Sequence, residues 1–317
     1  MYKSVLEELQ SNSYDKMGKW SSVGILQLVL KNPEEFDKVY NLLFDEDSKN
    51  TFDWFIRYRV AYSFLGELAG EIFPPKISKE EFFKGMDSLK VDRKNGIIHI
   101  QNYFFESGLF EVAQSWVFEQ YDLKGKCEVS QGDCVIDGGA FKGETSFWFL
   151  SKRAKKVYAF EPDPYSFSVL SENIKRNKVE EKIIPVKKIL SDRMGNFPLY
   201  ATDGSGSSVI DTSSKINTGK VETVEGITLD SFVEAEALDR VDFIKLDVEG
   251  GELDVLKGAV EIIKRFKPKM AIAIYHKPED MISIPKFIFE LLPGAELYLS
   301  HNFYNFSEAV LFVNPRG

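Results

Sequence analysis

Val135-Ile136-Asp137-Gly138-Gly139-Ala140-Phe141-Lys142-Gly143-Glu144-Thr145 reads as an apolar strand that runs into a glycine-rich turn and then into a helix. At the carboxyl end of a strand in an open α/β sheet, glycines let a nucleotide-like ligand approach the backbone, and the helix N-terminus offers free N–H groups. The spacing is G-x-x-x-G; Ala140 and Phe141 stand where the G-x-G-x-x-G pyrophosphate fingerprint needs its next glycine. Taken alone, the stretch also fits a tight strand-to-helix connection.

Working outward, apolar runs at Cys134–Asp137, Lys156–Phe160, Ile183–Leu190, Val241–Val248, Lys269–His276, Glu296–Ser300 and Ala309–Val313 have the length of strands. Helical stretches at Tyr165–Asn177, Gly250–Phe266 and Ile282–Leu292 separate them. Such alternation predicts parallel strands buried on both faces of a doubly wound α/β sheet. The last two runs are joined only by a short stretch around His301, Asn302 and Phe303, too short for a parallel crossover, so this pair is expected to be antiparallel. Between Gly195 and Thr228 lies an insertion in which Gly204-Ser205-Gly206-Ser207-Ser208 is flanked by Phe197–Tyr200 and Val221–Val224, which reads as a mobile loop on a β arm.

Residues 1–95 read as a helical N-terminal region, and 96–317 as the sheet domain. Asn32-Pro33-Glu34-Glu35 offers a capping side chain, a proline at the first helical position and an early acid. A second helix is expected from Thr51 to Leu65, and Ser78-Lys79-Glu80-Glu81 is a capping box for a third. The aromatic stripe of these helices is read as core, without chemistry. Gly96–Ile100 is read as an entry hairpin strand, and Leu109–Gln120 as a helix.

Composition narrows the class. The chain has 317 residues, 44% hydrophobic and 28% charged, which is ordinary globular usage. Its longest apolar runs, Val23–Leu30 and Met270–Tyr275, are far too short to span a bilayer. MYKSVLEELQ lacks a signal pattern, and two cysteines (Cys127, Cys134) make no disulfide framework, so a cytoplasmic location is expected. A net charge of −9, without a basic run, disfavours nucleic acid as a partner. The assembly, monomer or homo-oligomer, stays open.

Glu161 ends the second strand about twenty residues after the glycines, where a carboxylate accepts hydrogen bonds from both hydroxyls of an adenosine ribose. Asp192, at the end of the third, either reaches an adenine amine or closes an Asx turn before Gly195. Phe243-Ile244-Lys245-Leu246-Asp247-Val248-Glu249-Gly250-Gly251-Glu252 puts Lys245, Asp247 and Glu249 on one side of a strand mouth, a concentration of charge that a ligand would justify. His276 arrives at the same crevice and is the first candidate for a general base, with Glu249 or Asp247 second and Lys245 holding those carboxylates ionised. No metal is expected, since carboxylates and one histidine at strand ends are not a specific ligand pattern.

VIDGGAFKGETSFWF, YAFEPDP, the SD-x-x-G stretch Ser191–Gly195 and above all FIKLDVEGGELDVLKGA resemble the FkbM family of S-adenosylmethionine-dependent methyltransferases, over roughly Gly108 to Pro315. The resemblance implies a Rossmann-like seven-stranded methyltransferase sheet with the last strand antiparallel, here with an N-terminal helical extension, and S-adenosylmethionine as cofactor. It implies that Asp137, Gly139 and Gly143, with the adjoining Gly138 and Ala140, line the methionine end of the cofactor. Glu161 and Pro162 would then lie at the ribose and Ser191 and Asp192 near the adenine, while Asp247 and Glu249 face the transferring methyl. It further implies methyl transfer to a hydroxyl of a sugar, a glycan or a related natural product, with the insertion at Gly195–Thr228 and the loop His301–Glu308 shaping the acceptor pocket. Two other readings are an NAD(P)-dependent oxidoreductase, opposed by the missing fingerprint, and a non-catalytic cofactor-binding module.

Overall fold

The computed structural model describes residues 22–92, 96–202 and 217–315. The N-terminal stretch MYKSVLEELQ and the Gly204–Ser208 loop lie outside the described residues.

Helix α1 (Ser22–Lys31) is followed by α2 (Pro33–Leu42), which begins at proline as expected, although the Asn32 side chain makes no capping bond. Helix α3 (Glu46–Leu65) starts more than a turn earlier than its aromatic stripe predicts, because Asp45 caps it by accepting the Ser48 N–H at 2.8 Å. After a short 3₁₀ turn and α4 (Ala69–Ile72), helix α5 (Lys79–Asp87) carries the full Ser78/Glu81 capping box. Three short strands, β1 (Lys90–Asp92), β2 (Ile97–Ile100) and β3 (Tyr103–Glu106), form an antiparallel sheet. Helix α6 (Leu109–Trp116) ends four residues short of Gln120.

The main sheet has the order β12-β13-β11-β10-β4-β5-β6. Its strands are β4 (Cys134–Gly138), β5 (Lys156–Phe160), β6 (Ile183–Val186), β10 (Phe243–Leu246), β11 (Lys269–Ala273), β12 (Glu296–His301) and β13 (Ala309–Asn314). The pairs from β11 to β6 are parallel, and β13 runs antiparallel to both β11 and β12. Helices α7 (Glu144–Ser151), α8 (Pro164–Asn177), α9 (Leu229–Ala235), α10 (Glu252–Lys257), α11 (Val260–Phe266) and α12 (Asp280–Leu291) make the connections.

Three departures from the sequence expectation have local causes. The run Ile183–Leu190 is two strands: the Lys188 N–H bonds back to the Val186 carbonyl at 3.0 Å, turning the chain out of the sheet. Ile189–Leu190 (β7) then joins a second sheet, β7-β9-β8, with β8 (Gly195–Thr202) and β9 (Asn217–Ile227). Gly250–Phe266 is split at Gly258, where a Cβ would stand 2.1 Å from the Ser191 carbonyl oxygen, and Asp230 of α9 receives the free N–H groups of Glu261 and Ile262. Strands β10 and β11 stop before Asp247 and His276, so these residues stand on the loops that follow.

Alternation along the strands divides the core. One face carries Ile136, Ile244, Ile272, Leu297 and Leu311 against α9 to α12, and the same apolar cluster takes in Ile25, Phe36, Val39, Phe52 and Phe55 of the N-terminal helices. The other carries Val135, Val157, Phe243, Ala271 and Phe312 against α6 to α8. Cys127 and Cys134 are free, buried thiols that burial pushes up to about 12 and about 11. Among the described residues no helix is long and apolar enough to cross a membrane.

Candidate active site

Adjacent parallel strands set Asp137 of β4 level with Lys245 of β10. Both side chains are buried, and their charges meet at 3.2 Å. Asp137 also accepts the Thr145 and Ser146 hydroxyls at 2.7 and 2.6 Å, while the Lys245 ammonium donates to the Gly138 and Gly139 carbonyls at 3.1 and 2.7 Å. Lys245 therefore neutralises Asp137 and fastens the glycine turn, in place of the expected partners Asp247 and Glu249. The carboxylate of Asp137 is spent inside the protein, and Gly138 and Gly143 likewise stand behind the cleft wall. Gly139 is at the wall with φ +76°, and a Cβ there would lie 1.8 Å from the Asp247 carbonyl oxygen, so only glycine lets the two loops meet.

A cleft crosses the carboxyl ends of β4, β5, β10 and β11. Gly139, Ala140, Glu161, Pro162, Asp247 and Glu249 line it, as the sequence anticipated. Both oxygens of Glu161 accept backbone N–H groups, from Phe141 and Asp163, at 2.8 Å each. Burial outweighs those bonds and pushes its carboxyl up to about 8. Ser191 and Asp192 are not brought to the cleft: Asp192 pairs with the neighbouring Arg193 at 3.1 Å, and the wall there is Lys188, Ile189 and Leu190, with Leu199 of the β arm.

His276 is buried beside the acidic loop. Its Nδ1 is 2.9 Å from Glu252 Oε1, and its Nε2 faces Asp247 Oδ1 at 3.3 Å and Glu249 Oε2 at 3.9 Å. Burial opposes protonation, but the carboxylates of Glu252, Glu249 and Asp247 overcome it and raise the imidazole to about 10. At neutral pH the ring is therefore an imidazolium with no lone pair to offer, and the expectation of a histidine base does not fit this geometry. Glu252 is fixed in turn by the Val248 and Gly250 N–H groups. Asp247, Glu252 and His276 offer ligand atoms within 4.8 Å of one another, with the ring between the two carboxylates.

Several residues that the sequence reading left unassigned complete the site. Glu252 lay within the quoted fourth-strand motif. Tyr121 donates its hydroxyl to Asp247 Oδ2 at 2.6 Å, and Gln120 donates to Glu308 Oε2. Tyr275 and Glu308 line the cleft, with Glu308 pushed up to about 7 by burial and by Asp247. Nothing local in the sequence marks Gln120 or Tyr121, whose place is set by the docking of the segment after α6.

The strand order, the reversed terminal hairpin and a cleft over the carboxyl ends of the parallel strands are those of the Rossmann-like methyltransferases. The chain belongs to the FkbM methyltransferase family: it matches the Methyltransferase FkbM domain over residues 137–304, and it is an S-adenosylmethionine-dependent methyltransferase. It is 30% identical over 209 residues to the hexuronic acid methyltransferase AglP of Haloferax volcanii, covering 63% of this chain and 81% of that protein. It is 28% identical over 186 residues to the 2-O-methyltransferase NoeI of Sinorhizobium fredii, covering 51% and 72%. The crystal structure of methyltransferase FkbM from Methylobacillus flagellatus KT superposes with a TM-score of 0.57 at 16% identity, covering 90% of this chain and 59% of that one, which speaks to the fold.

Proposed function

We propose that the chain transfers a methyl group from S-adenosylmethionine to a hydroxyl oxygen of a sugar, a glycan or a related natural product. The observation that carries this reading is the cleft itself, which joins a buried acid at the end of β5 to a cluster of carboxylates beyond β10. The relatives support this reading in part: AglP is named for a sugar acid as its acceptor and NoeI for transfer to an oxygen.

The residues present fit an adenosine-bearing ligand. Glu161 accepts the ribose hydroxyls on lone pairs its two backbone partners leave free. Ile189 and Leu190 take the adenine face, in place of Asp192, and Gly139, Ala140 and Pro162 let the chain run close to the ligand. S-adenosylmethionine supplies, when bound, a methyl group already activated by its sulfonium. The work left to the protein is to hold the acceptor oxygen in line, exclude water and take up a proton. His276 serves as a fixed positive charge facing Asp247 and Glu249, with Tyr121 orienting Asp247. The acceptor is neutral rather than a uronate. The two lysines lining the cleft, among the described residues, are both ion-paired, Lys188 to Glu225 and Lys245 to Asp137, whereas Glu111, Asp247, Glu249 and Glu308 all border it.

Calorimetric titration with S-adenosylhomocysteine, with NADH as control and Glu161→Ala as a second sample, tests the cofactor half. Micromolar binding of S-adenosylhomocysteine alone, weakened about tenfold or more by the substitution, is expected. A panel of neutral glycosides, matching glucuronides and non-carbohydrate alcohols, assayed with labelled cofactor, tests the acceptor half; transfer confined to the non-carbohydrate hydroxyls would remove the sugar reading.

A further inference from the structure

The transfer must dispose of one proton, and the groups of the acidic loop after β10 are each engaged with one another. His276 carries its own proton. Asp247 is held from two sides, by the Tyr121 hydroxyl and the imidazolium, and Glu249 faces that same imidazolium.

Glu308 is placed differently. It is the residue before β13, outside the 137–304 stretch that matches the family. In the sheet order β13 lies two strands beyond β10 and three beyond β4, about 10 and 14 Å away at the usual strand spacing. A cofactor seated over β4 and β5 therefore leaves Glu308 at the far, acceptor end of the same cleft, beside Tyr275 and bonded to Gln120. Its backbone is left-handed, φ +71°, a strained conformation for a non-glycine residue that persists only where its surroundings enforce it. The enforcement is visible. Phe303 and Tyr304 pack on Phe82 of α5, and Phe306 packs on Tyr62 and under Arg59 of α3 at 4.4 and 5.2 Å. Arg59, fully buried, also donates to the Tyr275 carbonyl at 3.3 Å. The N-terminal helices thus aim the hairpin loop at the cleft.

We propose that Glu308 is the general base that accepts the proton of the acceptor hydroxyl. The inference rests on the methyl-transfer reading above. As the acceptor oxygen forms its bond to the methyl carbon, the carbon–sulfur bond breaks and its electron pair stays on sulfur, leaving a neutral thioether. The hydroxyl proton passes to a Glu308 carboxylate oxygen, so the positive charge lost at sulfur is matched by the carboxylate neutralised at Glu308.

The test compares wild type with Glu308→Gln, and with Glu308→Asp as a variant that keeps the acid. The groups facing Glu308 are Asp247, His276, Tyr121, Tyr275 and Tyr304, and all are retained. Glu308→Gln is expected to lower kcat about 100-fold or more while S-adenosylhomocysteine affinity and acceptor KM stay within about threefold, with Glu308→Asp partly active. In wild type, kcat/KM rises with pH through about 7, and that limb disappears in Glu308→Gln. Carbon-13 NMR of labelled glutamate, read without any acceptor, should show a carboxyl titrating near 7 that the substitution removes. Turnover retained by Glu308→Gln, or an unchanged pH limb, overturns the assignment. Wild-type protein that binds S-adenosylhomocysteine yet methylates no glycoside overturns the sugar reading instead.

Discussion

A histidine enclosed by three carboxylates keeps its proton, and the sign of its contribution follows. His276 titrates near 10 in the fold against 6.5 for a free imidazole, so its stabilisation is complete below pH 6.5 and is lost as pH climbs toward 10. The difference in thermal midpoint between wild type and His276→Gln should therefore shrink across that window, and a gap that stays constant from pH 6 to 10 would contradict the imidazolium. Glu161 is raised to about 8, so its contribution is complete below about 4.5 and is lost as pH rises to 8. Ribose hydroxyls donating to it favour the ionised form, so S-adenosylhomocysteine binding at pH 7 should expel protons. Calorimetry in buffers of different ionisation enthalpy reads that number, and zero release would separate Glu161 from the ribose. Of the residues the sequence singled out, Glu161, Asp247 and Glu249 line one cleft, and His276 lies buried beside the last two. The sequence reading misassigned the partners of Lys245 and Asp137 because those depend on strand register.

Elements end where a neighbour forces them to end. Gly139 and Gly258 each stand against a carbonyl of another segment, at 1.8 and 2.1 Å from a would-be Cβ. Gly139→Ala should cost at least about 2 kcal/mol in denaturant unfolding, through its positive φ and the clash, and should abolish S-adenosylhomocysteine binding. A variant that unfolds like wild type would show the loop can yield. Local signals were readable here: Pro33 at a first helical position, the Ser78/Glu81 box and the reversed terminal hairpin all appear as the sequence implies. The break at Gly258 was not, since the cause is the Ser191 backbone, 67 residues earlier in the chain.

Across the whole molecule the N-terminal helices are part of the sheet's core. Phe55 is fully buried in the cluster that covers one sheet face, and with Trp54 it packs on His301 at the root of the hairpin loop that carries Glu308. Phe55→Ala should cost about 3–5 kcal/mol and speed hydrogen exchange of the 301–308 amides beyond the global change. Uniform acceleration everywhere would uncouple the helices from the loop. The alternating runs and the glycine turn determined the fold class, and the strand-end motifs marked Glu161, Asp247 and Glu249 among the acids of the cleft, because periodicity and turn chemistry are local properties of a chain. Only the tertiary structure decided which of those groups holds a proton. Residues 121, 247, 252, 276 and 308 meet in a poorly solvated site, and their charges are set by separations of a few ångströms that the order of residues does not encode.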